Sequence, residues 1–400
     1  MLRALAGAVL GAAPALSALA QDDTSAIGAE SRGTASRDRK LVGKGPIGVA
    51  LLVPPDSGIY RRAAQALIAG VLAAHARDGS SVTLEIIEVD EDIVALRALY
   101  DELQRRGFSM VIGPLVRSAV SLVAEAGPPP VFTLALNQPE RDAIPANMLS
   151  FSLAIEAEAR QVASIAWDEA ATATASRRPR AAVVQDATAL GRRAAAAFAT
   201  RWRDLGGDIY EAIDAGTGTV GRLQSAVARL KADVFFVSAP PGVAGALRIA
   251  LGGRATIYGT SMLNSGAVPG ATSPALDSDQ SADARRRGAR GAERESAPVV
   301  IRSPELDGIR LVDMPWQVQP DSLAVMAYEK PAAMHMELQK LYALGIDAFR
   351  IAVHLLARGT DAELDGVTGR LRLPSYGGVI EREGVLAEYR EGVLVPLTVQ

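Results

Sequence analysis

The chain alternates short apolar runs with segments of helical spacing, and it does so twice. IGVALLV (47–53) is continuously apolar, the pattern of a strand covered on both faces of a parallel sheet. Helical spacing follows over Tyr60–Arg77, then VTLEIIEV (82–89) reads as a strand and Ile93–Arg106 as a helix. SMVIG (109–113) is the next strand, Val116–Ala126 a helix and PVFTLAL (130–136) a strand. The series then restarts with FSLAI (151–155) as a strand and a helix over 156–173. RAAVVQD (180–186), GDIYEAI (207–213), ADVFFVSA (232–239) and ATIYGT (255–260) follow as strands, separated by helices over 190–205, 220–230 and 243–251. Strand–helix–strand repetition closes with right-handed crossovers, so each series predicts a doubly wound parallel sheet. The expected fold class is α/β, with two such lobes facing each other across a cleft.

Four hundred residues, 49% of them hydrophobic, are enough for two cores. A net charge of −3 leaves no basic field for nucleic acid. Cysteine is absent, which excludes disulfides, thiolate metal sites, a cysteine nucleophile and a lipid-modified N-terminal cysteine. Arg3, the small-residue apolar run Ala4–Leu16 and Ala18-Leu19-Ala20 have the three regions of a secretory signal peptide over 1–20. No later segment is long and apolar enough to span a bilayer, so a periplasmic protein without a transmembrane span is expected after cleavage. Residues 21–45 read as a flexible leader. Residues 264–300, low in hydrophobicity and carrying Arg285–Arg287 and Arg290, read as a disordered insertion.

Few residue sets carry chemistry. Gly216-Thr-Gly-Thr-Val-Gly221 matches the dinucleotide fingerprint, but it lies late in the chain, and Asp233 opens the next strand instead of closing it. A glycine-rich turn is the better reading, and no cofactor is expected. His75, His335 and His354 do not share a ligand spacing, so no metal is expected. Gly259-Thr-Ser261-Met-Leu263 lacks the final glycine of a nucleophile elbow. Glu88, Asp90, Glu91 and Asp92 read as helix-capping carboxylates rather than an acid–base pair. No catalytic residue is assigned, and the chain is not expected to be an enzyme.

In open α/β sheets ligands bind beyond the carboxyl ends of the strands. Those positions hold Leu115, Arg117 and Ser118 after Gly113-Pro114, then Asn137 and Gln138, Asp186, and Thr260. They are the expected cleft lining. Arg117, at a helix start, points to a small anionic ligand.

Residues 338–373 hold a helix with a Tyr342-x-x-Gly-x-Asp-Ala348 core, a polar loop, then Gly366-x-Thr-Gly-x-Leu371 opening a strand. This ending resembles that of type I periplasmic binding proteins, which implies that fold. VIGPL (111–115), PVFTLALNQPE (130–140), Glu156-x-Glu-Ala159, Leu190-Gly-Arg192, Trp202-x-x-Leu-Gly-Gly207 and LYALGIDAF (341–349) together resemble the LppC-like penicillin-binding-protein activators. The resemblance runs from about 46 to 396, broken by the insertion, and it implies a first lobe of 46–148 with 333–360 and a second of 149–332 with 361–400. It further implies a non-enzymatic envelope protein that contacts a bifunctional penicillin-binding protein and stimulates its cross-linking activity. Family members are typically outer-membrane lipoproteins with an N-terminal helical-repeat domain. Here there is no lipobox cysteine and only the 21–45 leader precedes the expected fold, which argues against outer-membrane anchoring. The alternative is a transporter's solute-binding protein for amino acids or similar anions. Those usually present hydroxyls just after the Gly-Pro turn, where this chain has Leu115, Val116 and Arg117.

Overall fold

The continuous apolar run at 47–53 has a sheet-buried pattern, and the reason is visible in a computed structural model. Residues 39–397 are described, apart from 142, 175–176, 211, 216–219, 267–301, 333, 361 and 376. The described fold lies within the unit Arg37–Gln400. The expected signal peptide, most of the leader, the insertion from 267 to 300 and the glycine-rich turn at 216–219 lie outside the described residues.

The first lobe begins with β1 (Arg39–Val42), β2 (Ile47–Val53), α1 (Arg61–Asp78), β3 (Val82–Glu88), α2 (Ile93–Arg105) and β4 (Met110–Ile112). It continues with α3 (Arg117–Glu125), β5 (Thr133–Ala135) and β6 (Met148–Ser150). The second lobe follows with α4 (Ile155–Thr174), β7 (Arg180–Gln185), α5 (Ala189–Asp204), β8 (Asp208–Ile209), β9 (Ile213–Asp214) and α6 (Val220–Val227). After these come β10 (Val234–Ser238), α7 (Pro241–Leu251), β11 (Thr256–Gly259), a 3-10 turn at Ser261–Leu263, and β12 (Arg310–Asp313). The closing elements are α8 (Pro315–Val318), α9 (Leu323–Met326), α10 (Met336–Arg358), β13 (Ala362–Asp365), β14 (Arg370–Leu373) and β15 (Gly378–Val379). The last three strands are β16 (Glu381–Glu383), β17 (Val385–Arg390) and β18 (Val393–Pro396).

Among the described residues the first sheet runs β1-β3-β2-β4-β5-β6-β15, and the second runs β18-β17-β12-β11-β10-β7-β8 with β9 also on β7. In the first sheet β3, β2, β4, β5, β6 and β15 run parallel, and in the second β8, β7, β10, β11 and β12 do, with β2 lying between β3 and β4 and β7 between β8 and β10. Strand order therefore reverses between β2 and β4 in one lobe and between β7 and β10 in the other. Along β2, Val49, Leu51 and Val53 enter the core under α1 and α10, while Ala50 and Leu52 enter the core under α2 and α3. Along β7, Ala182 and Val184 face one core and Ala181 and Val183 the other. Both faces of each sheet are covered by helices, so the period-two alternation is apolar on both sides.

Several expectations differ from the structure. FSLAI is not a strand: β6 ends at Ser150, and Phe151–Ala154 carry the chain across to the second lobe. Phe151 is buried all the same, its N–H donating to Ala135 O (2.8 Å), so its apolar character serves the crossing. GDIYEAI is interrupted into β8 and β9. The leader becomes ordered before Pro46: β1 pairs antiparallel with the edge of β3, and Arg39 binds Glu102 (2.6 Å) and Glu85 (3.4 Å). The lobe division also shifts. Residue 148 lies inside β6, β15 joins the first sheet by pairing with β6, and Met314, Trp316 and Val325 pack in the first lobe's core. Periodicity identifies a buried face without saying which of two cores buries it.

The glycine of the Tyr-x-x-Gly motif is a packing device. A Cβ on Gly345 would lie 2.3 Å from Leu67 O, and one on Gly70 would lie 1.9 Å from Tyr342 O. These two glycines let α1 and α10 approach backbone to backbone. Gly345→Val should therefore destabilise the protein by about 3 kcal/mol or more through overpacking. Urea unfolding checks this, and a variant unfolding at the wild-type midpoint would contradict it.

Candidate functional site

Strand reversal leaves a crevice beyond the carboxyl ends of the central strands. In the first lobe it is bounded by the loop after β2, the loop after β3 and the Gly113–Val116 turn, enclosing a cavity of about 410 Å3. Gly113 has φ +103°, and a Cβ there would lie 2.4 Å from Leu52 O, so glycine is required at this turn. The lining is largely apolar: Pro54, Pro55, Ile59, Tyr60, Pro114, Leu115 and Val116, with Asp90 and Glu91 at its edge. Ile59 is 91% exposed.

The sequence-predicted lining residues are distributed unequally. Leu115 lines this cavity, and Gln138 lines a separate one described below. Arg117 donates from Nη2 to Pro139 O (3.3 Å), and its Nε is buried without an acceptor. It ties the Gly-Pro turn to the loop after β5. Ser118 donates to Glu91, and Asn137 donates to Leu115 O (3.2 Å). Asn137 also receives Gln138 N–H (3.0 Å) and Ser150 Oγ–H on its backbone carbonyl (2.9 Å). Arg117 and Asn137 brace the turn, and Ser118 ties the start of α3 to the loop after β3. In the second lobe Asp186 accepts from Thr188 N (3.0 Å) and Thr188 Oγ1 (2.5 Å) beside the start of α5. Thr260 is fully buried and accepts from Met262 N (3.4 Å), capping the 3-10 turn, so in this conformation it offers a ligand no surface. Spacing locates strand ends, but whether a polar side chain there faces solvent or satisfies its own backbone depends on local geometry.

The acidic cluster behaves as capping groups: Asp92 accepts from Val94 N (2.8 Å) and Ala95 N (3.2 Å) at the start of α2. His75 bonds Val82 O (3.1 Å) and sits edge-on to Phe349. His335 caps α10. Among the described residues no group of three His, Asp or Glu is placed to hold a metal ion, and no helix is long and apolar enough to cross a membrane.

The densest polar assembly lies where the chain passes between lobes. Asp347, fully buried in α10, receives Val367 N (3.0 Å) and Arg350 Nη1 (3.0 Å) on one oxygen. Its other oxygen receives Thr368 N (2.7 Å) and Thr368 Oγ1 (2.7 Å). Thr368 O accepts from Arg382 Nη1 (3.1 Å), and Arg382 Nη2 donates to Glu158 Oε1 (2.9 Å). Glu158 Oε2 accepts from Ser261 N (3.0 Å), beyond the end of β11. The path runs from a first-lobe helix through the Gly366–Gly369 turn to a second-lobe helix and strand end. Asp313, at the second crossing, accepts from Asn264 Nδ2 (2.7 Å) and Met314 N (2.7 Å). Burial pushes its carboxyl up to about 6, against the opposing pull of Lys340. Burial also raises Asp347, with Arg350 and Thr368 opposing.

A family model described as "LppC putative lipoprotein" matches residues 42–215 and 296–392. The chain belongs to the LppC family. The penicillin-binding protein activator LpoA of Yersinia pseudotuberculosis is 28% identical over 333 residues, covering 77% of this chain and 49% of that protein. The LpoA of Edwardsiella ictaluri is 27% identical over 404 residues, covering 94% of this chain and 54% of that protein. The chain thus spans about half the length of these relatives. Among solved structures, the LpoA C-domain of Haemophilus influenzae, described as "a regulator of PBP1A", superposes with a TM-score of 0.63 at 20% identity. It covers 88% of this chain and 100% of that domain. A "putative branched-chain amino acid ABC transporter" of Chromobacterium violaceum superposes with a TM-score of 0.65 at 31% identity, covering 86% of this chain and 99% of that one. The fold is that of type I periplasmic binding proteins.

Two of the LppC-like segments, Glu156-x-Glu-Ala159 and LYALGIDAF, reach the crossings, while VIGPL and PVFTLALNQPE bound the crevice turn. Asp347 and Thr368, from the two closing motifs, hold each other, and Glu158 comes from the Glu156-x-Glu-Ala segment. Arg382 and Asp313 were not singled out by sequence, because their partners are distant along the chain.

Asp313 binds its proton more tightly in the folded state than its ordinary value of 3.8. Between about pH 4 and 6 the native state therefore holds more protons than the unfolded chain. The stability contributed by this group falls as pH rises through that window. Asp313→Asn removes the titration. Relative to wild type, the variant should gain stability between pH 4 and 7, by up to about 3 kcal/mol. Urea unfolding at several pH values checks this, and identical pH profiles for the two proteins would refute it.

Proposed function

We propose that this LppC-family protein is a non-catalytic periplasmic regulator that binds a bifunctional penicillin-binding protein and stimulates its cross-linking of peptidoglycan. The observation that carries this reading is family membership together with the crevice chemistry. The turn after Gly113-Pro114 presents Leu115 and Val116 to the cavity, with no hydroxyl among the cavity's residues from that turn. The relatives are named for activating a penicillin-binding protein, and the region this chain spans corresponds to the whole of the LpoA C-domain in fold. A regulator acts through its different affinity for two states of a partner, so it needs a surface held in a defined geometry and no reactive group of its own. The bonded path from α10 to α4 is suited to holding such a geometry.

A second reading is a solute-binding protein of a transporter, favoured by the 31% identity to the Chromobacterium violaceum protein. The two separate in one experiment. The mature protein, mixed with a bifunctional synthase from the same cell, should bind it and raise its transpeptidation rate. Calorimetric binding of a free branched-chain amino acid, with the synthase rate unchanged, would replace this reading with the transport one.

A further inference from the structure

A second cavity, of about 560 Å3, lies at the crossings between the lobes. Its walls come from three separate stretches: the loop after β5, the first crossing with the start of α4, and the third crossing at β15–β16. The volume lies within the ordinary range for small-molecule sites. Three arginines line it, one from each wall: Arg141, Arg160 and Arg382.

The charges of Arg141 and Arg160 are poorly compensated, while Arg382 is paired with Glu158 at 2.9 Å. Among the described residues the Arg160 guanidinium makes no hydrogen bond or ion pair, although it lines the cavity. Arg141 has a single distant ion pair, with Glu125 at 3.8 Å, and both side chains are largely exposed. Arg382 is 8% exposed. Two of its donors are used on Glu158 and Thr368, and its buried Nε has no acceptor. A buried donor left unmet is costly and uncommon. Among the described residues Glu381 is the one carboxylate lining the cavity, and it is paired with Arg372 at 2.8 Å. Gln138 and Ser152 add neutral donors, while Ile144 and Val379 add aliphatic wall.

We propose that this hinge cavity binds a small aliphatic molecule carrying at least two carboxylates, held between Arg141, Arg160 and Arg382. Guanidinium groups bind carboxylates through paired, charge-assisted hydrogen bonds, and arginines on separate walls call for more than one such group. A ligand so held ties the loop after β5 to α4, and hence one lobe to the other. The proposal concerns different residues from the crevice beside Leu115 and does not depend on the synthase partner.

The test is calorimetric titration of the mature protein with three probes. They are citrate, the tripeptide Ala-Glu-Ala with free termini, and its neutral counterpart acetyl-Ala-Gln-Ala-amide. One or both charged probes should bind, the neutral one should not, and affinity should fall as salt is raised. Binding of citrate alone assigns the site to free acids, and binding of the peptide alone assigns it to acidic peptides. Arg160→Ala and Arg141→Ala should each weaken binding by about tenfold or more. Both side chains lie at the surface, so the variants should keep the wild-type melting temperature. No binding of either charged probe up to about 10 mM, a free energy weaker than about −3 kcal/mol, would overturn the proposal. Equal binding of charged and neutral probes, or undiminished binding in the double variant R141A/R160A, would do the same.

Discussion

The hydrogen-bonded path Asp347–Thr368–Arg382–Glu158–Ser261 is the constraint on which the two-lobed arrangement rests. Every member is buried, and each lies on a different element. Asp347 accepts four hydrogen bonds, three of them from the turn that opens β14 and one from Arg350. A buried carboxylate is tolerable only when its lone pairs are met, so this turn is fixed where Asp347 needs it. The Glu158–Arg382 pair extends the same requirement into the second lobe. Removing one partner of such a pair costs about 3–5 kcal/mol, because the other charge is left buried alone. The lobes are thus joined through groups that cannot separate without a large penalty.

That constraint accounts for one motif of this chain. Tyr342-x-x-Gly345-x-Asp347 places, on one helix, the glycine that admits α1 and the carboxylate that holds the crossing. The two roles occupy neighbouring faces of the same turn of helix. This chain's crevice is apolar where the Gly-Pro turn enters it. Three arginines line the cavity at the crossings. The fold itself is shared by proteins described as regulators and as transport components.

Arg117 shows how a correct location can lead to an incomplete role. Its place at the start of α3 was legible from the Gly113-Pro114 turn, and it does lie there. What was not legible is that its Nη2 reaches Pro139 O, on the next strand-end loop. Asp186 and Thr260 repeat the lesson: each stands at a strand end, and each turns its oxygen onto a nearby backbone N–H. Arg382 is the converse case. It lies between Glu381 and Glu383 and is buried against a helix, paired with Glu158, 224 residues away in sequence.

The sequence alone determined the α/β class, the two βα series and most element positions. Those follow from local quantities: a period of two or 3.6, the apolar face it presents, and the residues that stop it. It also carried the family, through motifs that are short and contiguous. The tertiary structure decided what contiguity cannot express. Which core receives Trp316, which sheet accepts β15, which strand-end polar groups bond their own backbone and which cavity three arginines line all depend on chain crossings. Those crossings bring together residues far apart in sequence, and a buried charge finds its partner only after they have closed.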